Sequence, residues 1–252
     1  MTQQEAVEAW WSAVDEVTRR RALRLSRFDL LPADMQRDLV MHGVTVIAAD
    51  GAFDGAPEGY VVPDVLREFL GERRAERLAA KLHPDAVRLA MVRAGAVLTG
   101  YELVRAQIVD GVRGFYLTGF DEHGLTYSRG YDVEVLTLAK NPVRASLLWL
   151  QEHDALTAEQ VEAFEGVRRH RHEVAHELAR FIADPEADVD LDRLRDLRDC
   201  CRSLDRFFGA FEVAANPEFD NVDVDLDAVR SGTTLLLGYL FELAGLDDHP
   251  GA

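Results

Sequence analysis

Apolar residues recur along most of this chain at spacings of three, four or seven, the period of helices with one buried face. Residues 3 to about 24 show it with Trp10, Val14 and Val17 on one side, and Arg19, Arg20 and Arg21 close the segment where cations suit the helix dipole. The period then changes. "GVTVIAADGAFDGAPEGYVV" sets two short β-branched runs around a Gly-, Asp- and Pro-rich turn, which predicts a small hairpin within residues 43–62. Pro63 and Pro84 stand where a proline can open a helix. From Pro84 onward almost everything reads as helix. Residues 84–109 carry Val87, Met91, Leu98, Tyr101, Val104 and Ile108 in register, and Asn141-Pro142 opens a helix over 142–153. Thr157 and Gln160 form a capping box, with Leu156 and Val161 as a hydrophobic staple, so a further helix runs from 157 to 184, where Asp184-Pro185 stops it. Two more span about 189–215 and 225–244.

The fold class that follows is mainly α. Residues 1–83 form a small α+β module with a short hairpin, and residues 84–252 form a helical bundle. No internal repeat and no low-complexity tract appears.

Composition narrows the function classes. Of 252 residues 48% are hydrophobic and 29% charged, ordinary for a globular protein, but the formal net charge is −17. That argues against an extended basic surface for nucleic acid, because phosphate binding is dominated by Lys and Arg. Cations must therefore be gathered locally if they are to meet phosphate. Arg19, Arg20, Arg21, Arg24 and Arg27 form one such run. The two cysteines, Cys200 and Cys201, are adjacent and poorly placed for an ordinary disulfide, which points to a reducing compartment. The N-terminal "MTQQEAVEAWW" has no basic n-region and no apolar h-region, and "TTLLLGYLFELAG" is too short to span a bilayer. The expectation is a cytoplasmic protein with no membrane partner.

The chemistry concentrates in "VRRHRHEVAHELARFI", residues 167–182. With about 100° per residue, Phe164, Val167, Val174, Ala175, Leu178 and Ile182 all fall within about 60° of Arg171. A cation at the centre of an apolar stripe is costly unless something pairs with it. Arg171 is therefore a site candidate; the plainer alternative is that it snorkels to water or meets a bundle carboxylate, such as one from the 189–215 helix. His172 and His176 lie one turn apart at the edge of the stripe. Arg168, Arg169, His170, Glu173 and Glu177 read as the exposed face.

His172-Glu173-x-x-His176 also matches the His-Glu-x-x-His string of helical zinc sites, in which the two histidines bind metal and the glutamate activates water. Its context is unlike such sites. Arg171 precedes and Glu177 follows, no third histidine comes after, and a downstream acid such as Glu186 lies in a connector.

Arg171-His172-Glu173-Val174-Ala175-His176 resembles the Arg-polar-x-x-x-His signature of the HEPN superfamily, all-helical proteins that include many metal-independent ribonucleases of toxin–antitoxin, phage-defence and CRISPR systems. The polar position, most often asparagine in that family, is His172 here. "LTAEQVEAFEGVRRHRHEVAHELARFI" has the shape of the family's motif helix and "GAVLTGYELVRAQIVDGVRGFY" resembles its leading helix, so the likeness covers roughly residues 84–245. The resemblance implies a HEPN-like bundle that cleaves RNA without metal or other cofactor. His176 would move a proton at the ribose 2′-hydroxyl or the 5′-oxygen, Arg171 would stabilise charge on phosphorus, and His172 would orient the pair. It further implies a homodimer with its cleft at the two-fold, and an antitoxin or defence-complex partner protein. A non-catalytic helical regulatory or interaction protein is the alternative from a different class.

Overall fold

The computed structural model describes residues 1–49, 59–219 and 222–246. The chain is mainly α-helical and divides into two compact units, Met1–His83 and Pro84–Ala252.

In the first unit the expected single helix over 3–24 is two. Helix α1 (Gln3–Ala13) is opened by a capping box between Thr2 and Glu5, and α2 (Glu16–Leu23) by Asp15, whose carboxylate accepts from the Thr18 amide at 2.8 Å. Asp15 takes an extended conformation to do so, and a helix cannot run through a residue capping the next turn. Helices α3 (Ala33–Met41) and α4 (Asp64–Lys81) complete the unit around Val7, Trp10, Leu39, Leu66 and Leu70. The two β-branched runs do pair. Strand β1 (Ile47–Ala48) lies antiparallel to β2 (Tyr60–Val61), and Leu30 adds a bridge to Val61. Most of the expected turn between them, residues 50–58, lies outside the described residues.

The second unit is a bundle built on α5 (Pro84–Gly114), longer than the 84–109 its periodicity suggested. Helices α6 (Pro142–Glu152), α7 (Ala158–His176), α8 (Leu178–Ala183), α9 (Asp192–Ala215) and α10 (Gly232–Ala244) each pack against it. Val97, Val104, Ile108, Leu150, Phe164, Leu197, Leu204 and Phe241 fill the space between them. Two glycines of α5 allow close approach: a Cβ at Gly111 would stand 2.4 Å from the Phe208 ring, and one at Gly100 would press on Leu197 and Leu237 at 3.2 Å.

Three details depart from the expected run of helices. Residues 117–127 form a hairpin, β3 (Leu117–Asp121) against β4 (Gly124–Tyr127), turned at Gly124 with φ 114°. The predicted 157–184 helix breaks at Glu177, so that His176 ends α7. The last helix begins at Gly232, not near 225, because Asp225 and Ser231 each cap the amides that follow them and split the segment into a 3₁₀ turn and α10. Among the described residues no helix is long and apolar enough to cross a membrane.

Candidate active site

The Thr157–Gln160 capping box is present in both directions, at 3.2 and 3.0 Å, and fixes where α7 starts and therefore which residues face inward. The buried line runs through Val161, Phe164, Val167, His170 and Val174. Its centre lies nearer Val167 than Arg171, because α7 is held between α5 and α9 and turns toward both. Arg171 thus sits at the edge of the apolar arc, not at its middle, and Ala175 is exposed.

That edge position gives Arg171 a partner of its own chain. Its Nη2 donates to Glu102 Oε1 at 2.9 Å, a carboxylate from α5 and not from the 189–215 helix. The other oxygen of Glu102 accepts from Arg105 Nε at 2.7 Å. The Arg171 guanidinium stands 5.7 Å from the centroid of the buried Tyr101 ring, which stacks in turn on Phe164 at 5.3 Å. Packing on an aromatic face and a shared carboxylate hold the side chain in place while 36% of it stays exposed. Its Nε is shut off from solvent without a partner. The Glu102 bond holds Arg105 above its ordinary pKa, and burial, followed by the charge of Glu102, raises that of Tyr101.

His172 and His176 are exposed, with ring centroids 4.2 Å apart and planes tilted by 58°. His170, expected on the exposed face, is buried. Its Nε2 accepts from the Asp190 amide at 3.0 Å and its Nδ1 lies 3.4 Å from Glu173 Oε2. A backbone N–H can only donate, so in the neutral ring the proton is on Nδ1 and points at Glu173. His170 ties the loop before α9 to the motif helix; it is a structural residue. Arg168, Arg169, Glu173 and Glu177 are exposed as expected.

Arg171 and His172 border an open groove of about 780 Å³, lined also by Tyr101, Glu102, Arg105 and Asn141; His176 is not among its lining residues and stands beside His172. Four arginines (105, 168, 169 and 171) face two glutamates (102 and 173) along it, a local balance of +2 in a chain of −17. Three of the five arginines of the N-terminal run are already engaged by polar groups of their own chain. Arg19 donates to the Trp11 carbonyl, Arg20 pairs with Glu16, Arg21 with Asp34, and Arg27 lies over Phe28.

A metal does not suit this donor set. A catalytic zinc takes three protein ligands, and among the described residues no group of three or more His, Cys, Asp or Glu side chains comes together. Glu173, which would activate the water, faces His170 instead. Cys200 and Cys201 are free and buried, and desolvation pushes both thiols up to about 12, far from reactive thiolates.

Glu102 and Arg105 are not among the site residues the sequence suggested, though they carry a signal as the only charged residues between Arg93 and Asp110 in a long apolar helix. Their link to Arg171, 69 residues away, carries none. No protein-family model matches the sequence, no curated protein is similar to it, and no solved structure matches its fold.

Proposed function

We propose that this chain is a metal-independent endoribonuclease of the HEPN kind, working in a toxin–antitoxin or phage-defence system, with Arg171, His172 and His176 at its centre. The observation that supports this best is the meeting of an aromatic-braced arginine and His172 on an arginine-lined groove of an otherwise acidic protein, with the exposed His176 ring set against His172. The substrate supplies its own nucleophile. A histidine takes the proton of a ribose 2′-hydroxyl, the 2′-oxygen bonds to phosphorus, and the bond from phosphorus to the 5′-oxygen breaks as that oxygen gains a proton. The products are a 2′,3′-cyclic phosphate and a 5′-hydroxyl. Arg171, whose planar fork matches two phosphate oxygens, meets the charge that develops on phosphorus, leaving Glu102 to Arg105 as it does so.

Entering and leaving oxygens lie on opposite sides of phosphorus, so base and acid must approach from opposite sides. Rings 4.2 Å apart stand on the same side. One copy of the motif therefore supplies one proton-transfer position, with His172 orienting His176, and a second copy across a two-fold supplies the other. This is the physical reason to expect a homodimer.

Incubation of the purified chain with single-stranded RNA tests the proposal. Cleavage should survive EDTA and leave cyclic-phosphate ends. Arg171→Ala and His176→Ala should each lower the rate about 10²- to 10⁴-fold, the usual worth of a positioned acid–base or charge-stabilising group, while His123→Ala in the exposed β3–β4 turn should not. Activity that disappears with EDTA and returns with zinc, or that survives Arg171→Ala, would overturn it. A second reading has one observation in its favour, the closed Arg171–Glu102 link, which already neutralises the arginine. A chain that is silent on RNA but forms a stable complex with a partner protein would be the non-catalytic interaction protein.

A further inference from the structure

The groove does not end at the motif. A second trough of about 400 Å³ shares Asn141, Val143, Arg168 and Arg169 with it and carries on to Arg144, Glu162 and Glu165. Resting on the ribonuclease reading above, we infer that this trough binds the phosphodiester of a nucleotide next to the one cleaved, so that the substrate is a single strand gripped through its backbone.

Three features carry the inference. The trough gathers Arg144 from α6 and Arg168 and Arg169 from α7, three planar forks of the kind that fit phosphate oxygens, against two carboxylates. No aromatic side chain lines it, so bases have nothing to stack on and the contact there is to the backbone, without sequence preference. At about 400 Å³ it has the size of a small-ligand cleft, which takes one nucleotide and not a duplex. The α6 terminus beside it is not the binding element, because Asn141 Oδ1 already accepts from the amides of Val143 and Arg144.

Glu165 organises the trough. Its half-buried carboxylate accepts from Arg168 Nε at 2.6 Å and lies 3.9 Å from Arg144 Nη1, while Glu162 holds Arg169 at 3.0 Å. The three arginine side chains remain 41%, 55% and 60% exposed. The Arg169–Glu162 pair is exposed on both sides, 60% and 72%, and such pairs are weak, so a phosphate can replace Glu162 as partner while the other two forks stay open to solvent. Glu165 both positions the forks and competes with the ligand.

Fluorescence anisotropy with a short labelled single-stranded RNA of mixed sequence measures this, using full chains that carry His176→Ala to stop turnover. In the double variant Arg144→Gln, Arg169→Gln the slope of log affinity against log salt should fall by about 1.4, two contacts at about 0.7 each for a single strand. Glu165→Gln should tighten binding several-fold, a gain that misfolding cannot produce. The same RNA annealed to its complement should bind more weakly than the single strand. An unchanged slope in the double variant, no gain with Glu165→Gln, or equal affinity for the duplex overturns the inference. Cleavage by the unmodified chain together with an unchanged slope removes this subsite and leaves the ribonuclease standing. A changed slope without cleavage by the unmodified chain keeps the trough and removes the catalysis. Absence of RNA binding removes both.

Discussion

His170 and His172 are two residues apart and have opposite fates. His170 points into the bundle and satisfies the Asp190 amide, whereas His172 stands in the open beside His176. Removing the first ring leaves the part-buried Asp190 N–H without its acceptor and empties a buried site, which costs about 1–3 kcal/mol. His170→Ala should lower the free energy of unfolding in urea by that amount, and His172→Ala should leave it within about 0.5 kcal/mol of the parent, as exposed substitutions usually do. Equal losses would show that the assignment of structural and site histidines is wrong. Composition could not make this distinction. Residues 167–182 hold three histidines in seven positions, and only the packing of α7 between α5 and α9 decides which of them loses its water.

The starts of α6 and α7 were legible because their caps are local and unmistakable. Thr157 with Gln160, and Asn141 before Pro142, satisfy the first free amides of their helices through atoms only a few residues away. The ends of α6, α9 and α10 also fall where the sequence put them, but the start of α10 and the breaks within helices do not. The interruption at Asp15, the stop at His176 and the β3–β4 hairpin fall inside stretches with good helical periodicity or little pattern at all. The hairpin did leave a trace, since "FYLTGFDEHGLTY" is rich in aromatic and Thr residues around a glycine turn. The packing of α5 on α9 depends on the absence of a side chain at Gly111. Gly111→Ala should force the Phe208 ring aside and destabilise the chain by about 1–3 kcal/mol. Gly95→Ala, in the same helix with nothing within 4 Å of the added carbon, should instead stabilise it by up to about 1 kcal/mol, the helix propensity gained. Paired urea denaturation curves measure both; a stabilised Gly111→Ala variant would show that α5 and α9 do not meet there.

At the scale of the whole molecule charge and assembly are coupled. Two copies, each at −17, repel at long range, so the proposed dimer should form where salt screens that repulsion, near 0.15 M with a Debye length of about 8 Å. Light scattering there should give twice the chain mass, and a monomer that cleaves RNA would rule out a cleft shared by two copies. The sequence by itself determined a mainly helical chain, the starts of several helices, the pairing of two β-branched runs, the buried face of α7 to within a fraction of a turn, and the clustering of Arg171, His172 and His176. Each depends on periodicity, capping or spacing within one element. Tertiary structure alone decided that Glu102 and Arg105 join Arg171, that Tyr101 braces it, that His170 is a structural residue, and that Arg144, Arg168 and Arg169 line one trough. Those contacts join helices far apart in the chain, and their partners are set by how side-chain volumes fit across the bundle, which no local pattern of residues encodes.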